Sequence, residues 1–276
     1  RVGNVMSNFT DFIGGSGGGS LPVNIVLTTS QTWVPPADGN ICIHVIGGGG
    51  AGLGSNNAAG GGGAGGYCKK NSLAVTTSSS FTVVVGAGGV GTNYASTPSN
   101  AGASTVSGTG LSATLTANYG GGAYNGGVGT GGNSLNGDVN NTGGNGNSGF
   151  GGGAVGFYGT GNSATNQYSG QTDASAAGLE SLAGYGHLIG GLARKKTNIS
   201  NWAHYQTYTM TSQDAGLFCG GGSVSIAGNS TQYNWIKGGQ GGLGGGGGGA
   251  QNQGASSAAY GGNGGNGVVI IQYLPA

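Results

Sequence analysis

Apolar positions along this chain alternate or cluster in short stretches and never settle into a helical period. Segments 23–28, 41–46, 67–76, 81–85, parts of 103–116, and 268–273 are rich in Val, Ile, Phe and Thr. Gly, Pro, Asn or Ser bound each of them, the pattern of strands. No window repeats its apolar residues every 3.6 positions, so almost no α-helix is expected. What the strands lead into is more informative. Segment 41–46 passes directly into Gly47-Gly-Gly-Gly50, and 81–85 into Gly86-Ala-Gly-Gly-Val-Gly91. In mirror fashion Gly261-Gly-Asn-Gly-Gly-Asn-Gly267 passes into Val268. Further glycine-rich runs lie at 60–66, 120–122, 126–132, 143–153, 220–222 and 238–249.

Glycine makes up 72 of the 276 residues. Such a composition usually marks disorder, but disorder also wants a high net charge, and here the formal charge is +1. Glycine in regular structure loses roughly 0.5–1 kcal/mol against alanine, which a fold tolerates only where a Cβ is sterically excluded. Close packing of one main chain on another is such a place. A glycine run forms an extended left-handed helix with three residues per turn and about 3.1 Å rise, and it makes no internal hydrogen bonds. Neighbouring runs must supply the partners. The expected fold is therefore all-β and irregular. A small β-sandwich-like base continues into a packed bundle of polyglycine type II helices.

A count of chain direction orders the runs. With the base placed below, 47–52 goes up, 60–66 down, 86–91 up, 102–119 down, 120–122 up, 126–132 down and 143–153 up. Then 220–222 goes down, 238–249 up and 261–267 down into the last strand. On this count 53–59, 92–101, 123–125, 154–219 and 250–260 lie at the far end, and 133–142 and 223–237 at the near side. Residues 1–22, which include Gly14-Gly-Ser-Gly-Gly-Gly-Ser20, read as an attachment segment and flexible linker. Residues 23–276 form the glycine-rich domain, with 154–219 as its long loop region.

Motifs of chemistry are weak. Residues 86–91 match the dinucleotide fingerprint, but no helix pattern follows and no acid occurs between Asp38 and Asp138, so the match lacks its context. The six acids form no closely spaced pair suited to glycosidase work. His44, His187 and His204 lack metal-ligand spacing, and no nucleophile elbow is present. His44 alternates with Ile43 and Val45 as a strand position would. Three cysteines make no disulfide framework. Cys42 and Cys68, which flank the first glycine excursion, read as buried thiols or, second, as a bridge. Seven scattered basic residues cannot neutralise a phosphate track, and no apolar run approaches a membrane span. No enzyme activity, cofactor, metal, nucleic acid or membrane insertion is expected.

One segment differs from its surroundings. Residues 194–208 hold Arg194, Lys195, Lys196, Trp202, His204, Tyr205 and Tyr208. Aromatic anchors beside cationic side chains are common in recognition surfaces. Tyr94, Tyr124 and Tyr260, at expected turns, suit the same role through stacking and hydrogen bonding; the competing reading is that these rings cap the glycine stack. Trp33, beside Pro35 and Pro36, reads as structural, and Trp235 falls on the near side by direction count.

Trp33-Val-Pro35, the strand and glycine run of 41–50, Gly60 to Tyr67, Phe81-Thr-Val-Val-Val-Gly-Ala-Gly-Gly89 and Gly261 to Tyr273 together resemble the glycine-rich domain of bacteriophage tail and tail-fibre proteins. The glycine islands and intervening loops are similar to the distal adhesins of T-even-like phages. The resemblance implies a non-enzymatic adhesin on the virion, in its tail or at a fibre tip. Loops between polyglycine helices would bind a bacterial surface protein or glycan, and the N-terminal segment would join other virion subunits. It carries over no fixed site residues, because the loops of such adhesins vary. On this reading, exchanging 192–210 abolishes adsorption without unfolding the base. A purely structural appendage and an ice-binding polyglycine bundle are the alternatives, separated by whole-cell binding and by thermal hysteresis.

Overall fold

The computed structural model describes residues 24–55, 59–93, 98–99, 101–124, 127–147, 160–161, 163, 197–200, 209–211, 224–227, 235–252 and 259–274. Among these there is no helix of α type, and seventeen strands form. In chain order they are β1 Asn24–Leu27, β2 Gln31–Trp33, β3 Gly39–Ile46, β4 Gly54–Ser55, β5 Tyr67–Val75, β6 Phe81–Val84, β7 Ser104–Gly108, β8 Leu115–Ala117 and β9 Ser134–Leu135. There follow β10 Val139–Asn141, β11 Thr197–Ser200, β12 Thr209–Thr211, β13 Val224–Ala227, β14 Trp235–Lys237, β15 Ala250–Asn252, β16 Ala259–Tyr260 and β17 Val268–Tyr273.

The base is two five-stranded antiparallel sheets, ordered β1-β17-β3-β5-β10 and β2-β6-β7-β8-β9. Alternation along the strands turns Ile41, Ile43, Val45, Val269 and Ile271 of one sheet toward Phe81, Val83, Val106 and Leu115 of the other, in one buried core. Trp33 is part of it, its ring 5.6 Å from that of Phe81. The expected strands at 23–28, 41–46, 67–76, 81–85 and 268–273 are all present within a residue or two. The strand character in parts of 103–116 resolves into β7 and β8 with a turn between them, and the short β2, β9 and β10 lie at the sheet edges.

Above the base the glycine runs pack as the composition demands. Run 47–53 is the centre. Its N–H groups follow a threefold rhythm: Gly47, Gly50 and Leu53 donate to Gly66, Gly63 and Gly60 at 2.9, 2.8 and 2.9 Å. Gly49 and Gly52 donate to Gly265 and Gly262, and Gly48 to Gly102. Three further runs donate to it: Gly120 and Ala123 to the carbonyls of Gly48 and Ala51, Gly89 to Gly49, and Gly247 and Ala250 to Gly50 and Leu53. One main chain thus has six neighbours. Residues three apart share a partner, the mark of a helix with three residues per turn. The partners of its N–H groups run antiparallel to it, and the donors to its carbonyls run parallel. Run 59–66 repeats the rhythm, with Gly61 and Ala64 donating to Asn147 and Gly144, Gly62 and Gly65 to Gly247 and Gly244, and Gly63 and Gly66 to Gly121 and Asn118.

Sterics explain why these positions are glycine. A Cβ on Gly50 would overlap the carbonyl oxygen of Gly121. At the rim of the bundle, polar side chains replace absent neighbours. Asn263 and Asn266, three apart, accept from the N–H groups of Gly91 and Gly88 at 2.9 and 2.8 Å. Asn145 accepts from Gly131 and Ser99 from Val90.

Run 238–249 corrects the direction count. Gly238, Gly241 and Gly244 donate to Tyr260, Asn263 and Asn266, so 238–242 travels down beside 261–267. The chain then turns at Leu243 and Gly244, where Gly244 has φ of 70°. A Gly245 N–H to Gly242 carbonyl bond of 2.7 Å closes that turn, and 245–250 climbs again. The stretch is two antiparallel runs, and the residues before it lie at the far end.

Candidate functional site

Extended polyglycine and β-strand lie in the same broad β region of backbone angles, so a run can pass into a strand without a break in the chain's direction. Run 47–53 continues into β4 and 245–250 into β15, both upward, while β14 and β16 feed downward into 238–242 and 261–267. Each direction builds its own parallel sheet. Upward strands stack in the order β11-β13-β15-β4 and downward strands in the order β12-β14-β16. Register aligns the ends of the upward strands: Ser200 faces Ala227, Ile226 faces Asn252 and Gln251 faces Ser55. It aligns the starts of the downward strands in the same way, Thr209 with Trp235 and Ile236 with Ala259.

Of the residues expected at the site, two are described. Tyr124 ends run 118–124 with its side chain 61% exposed. A Gly127 N–H to Tyr124 carbonyl bond of 2.9 Å closes the turn beneath it. A Cβ on Gly127 would overlap the Tyr124 ring, so glycine lets that ring lie against the backbone with its other face in solvent. Tyr260, in β16, is half-buried and pairs in register with Lys237; its carbonyl accepts from Gly238. The two tyrosines belong to runs on different faces of 47–53 and form no single cluster. Tyr94, Arg194, Lys195, Lys196, Trp202, His204, Tyr205 and Tyr208 lie outside the described residues. In sequence, Trp202, His204, Tyr205 and Tyr208 fall between β11 and β12, and Arg194–Lys196 immediately precede β11.

Two expectations change. Within 154–219, read as loop, Thr197–Ser200 and Thr209–Thr211 are strands. Trp235, set aside as near-side, begins β14 at the far end, and Lys237 closes the same strand. The sequence held a signal for this. Twelve residues of polyglycine helix span about 37 Å, about twice the length of runs such as 47–52 and 60–66, and Leu243 interrupts them where the chain turns.

The base holds the other chemical grouping. His44 Nδ1 lies 2.8 Å from the Tyr67 hydroxyl and Nε2 lies 3.2 Å from Cys42 Sγ, all buried. Burial pushes the Cys42 thiol up to about 11 and, helped by the charge of Lys69, the His44 imidazole down to about 3. At neutral pH both are uncharged and sealed from solvent, so the pair packs the sheet and offers no thiolate nucleophile. Cys68 is likewise buried, its thiol raised to about 12, and both cysteines are free.

Strand–glycine-run alternation, a sandwich base and a threefold hydrogen-bonded bundle now stand together. The family model of the glycine-rich domain matches residues 25–274. The chain belongs to the glycine-rich domain family. No curated protein matches the chain. The matched span takes in both the base and the glycine bundle, from β1 to the end of β17, so in this glycine-rich domain the two parts form one family unit.

Proposed function

We propose that this glycine-rich domain is a non-enzymatic adhesin at the tip of a phage tail fibre or tail. It binds a protein or glycan of the bacterial surface, and its N-terminal segment joins other virion subunits. The observation that carries the reading is the register of the two parallel far-end sheets. Upward strands end in one row and downward strands begin in another. Segments 201–208, 228–234 and 253–258 therefore each join the row of upward ends to the row of downward starts, and 56–58 follows β4 from the same upward row. In sequence, Trp202, His204, Tyr205, Tyr208 and Tyr233 belong to these segments, and aromatic side chains are a residue type enriched at binding hot spots. The polyglycine bundle supplies a scaffold whose geometry does not depend on the connecting sequences, so these can vary while the strands stay in place.

The test exchanges 201–208 for a Gly/Ser segment of equal length, sparing the flanking strands. Labelled wild-type protein is expected to bind a subset of a bacterial strain panel, and the exchanged protein to lose that binding at unchanged Tm. Retained binding would remove this segment from the receptor site.

A further inference from the structure

Lys237 is the one charged side chain among the described residues above the base. Asp38, Lys69, Lys70 and Asp138 all belong to the base, where Lys70 and Asp138 pair at 2.9 Å. That is the only ion pair among the described residues, so Lys237 has no carboxylate partner there. It is half-buried and stands in the downward sheet between Thr211 on β12 and Tyr260 on β16, in register with both. Directly opposed residues on adjacent parallel strands share a face of the sheet and lie within side-chain reach. An ammonium group and an aromatic ring are thereby set side by side on a far-end surface whose described residues are otherwise uncharged.

We infer that Lys237 and Tyr260 form a subsite for an acidic sugar. This rests on the receptor-binding reading and names the ligand chemistry. The ammonium donates to the sugar's carboxylate in a charge-assisted hydrogen bond, and the half-buried tyrosine offers its apolar ring face to the pyranose. A sugar fits better than an acidic peptide because the aromatic ring beside the cation can take the apolar C–H face of a pyranose, which an aspartate or glutamate side chain does not present.

The test titrates trigalacturonate and its fully methyl-esterified form into the full chain, followed by amide chemical shifts. The acid is expected to bind and the ester to bind about tenfold more weakly, the worth of one charge-assisted bond. Lys237→Gln should bring the acid to the level of the ester, and Tyr260→Ala should weaken both. Unshifted β3 amides in the two variants show that the base is intact. Equal affinity for acid and ester, indifference to Lys237→Gln, or no binding of trigalacturonate overturns the subsite. So does Lys237-dependent binding of polyglutamate without binding of the sugar, which would point to a protein carboxylate. None of these outcomes bears on strain binding through 201–208, which fails or stands by its own exchange.

Discussion

Gly50 is hemmed in by main chain on every side. Its N–H donates to Gly63, its carbonyl accepts from Gly247, and a methyl group in place of its hydrogen would meet the Gly121 carbonyl oxygen. Backbone cannot swing aside as a flexible side chain does. Gly50→Ala is therefore expected to lower unfolding stability by about 3 kcal/mol, the upper end for overpacking. Its neighbour Ala51 is fully buried with its methyl already accommodated, and Ala51→Gly should cost about 1 kcal/mol through backbone entropy. Urea unfolding of the two variants distinguishes them, and equal losses would mean that the helices are further apart than described. At the rim, Asn266→Ala strips an acceptor from the exposed Gly88 N–H. Water replaces that acceptor, so a loss of about 0.5–1.5 kcal/mol is expected.

At the scale of elements, the central strand β3 carries a titration. His44 is held neutral by burial, its folded value near 3 against an ordinary 6.5. The folded protein thus binds fewer protons than the unfolded chain between these values, and stability falls as pH drops from 6.5 toward 3. Unfolding midpoints measured at pH 7.5, 5.5 and 4.5 should decline, and His44→Gln should flatten the decline; a parallel decline in that variant would contradict the assignment. The base strands were legible in sequence because each shows its own alternation: Phe81 and Val83 inward, Thr82 and Val84 outward. Strands β11 to β16 were not legible. They are two to four residues long, and their identity comes from extending a glycine helix into a stack. The threefold rhythm of Asn263 and Asn266 was visible as spacing, but its meaning, capping of a neighbour's N–H groups, needs the neighbour in place. Of the candidate site, Tyr124 and Tyr260 were named from sequence. Lys237 was missed because a run with one leucine in its middle was read as straight.

Over the whole molecule, two kinds of interior are joined end to end. The base buries Ile, Val, Leu and Phe and is stabilised by their removal from water. The bundle has almost no side chains to bury, so main-chain hydrogen bonds on all sides of each run hold it together, together with dispersion between closely packed backbones. Strand β3 leads without interruption into run 47–53, and run 261–267 into β17, so the base fixes the direction and register from which the bundle grows. Far-end strands inherit that register, and the proposed receptor-binding segments with them. The claim beneath all of this is that the glycine runs are hydrogen-bonded to one another in the folded protein. Amide hydrogen exchange at Gly47, Gly48, Gly49, Gly50 and Gly52 and across 61–66 tests it most directly. Protection comparable to that of β3 is the expected result; exchange within about tenfold of unstructured rates at these glycines, with β3 still protected, would contradict it.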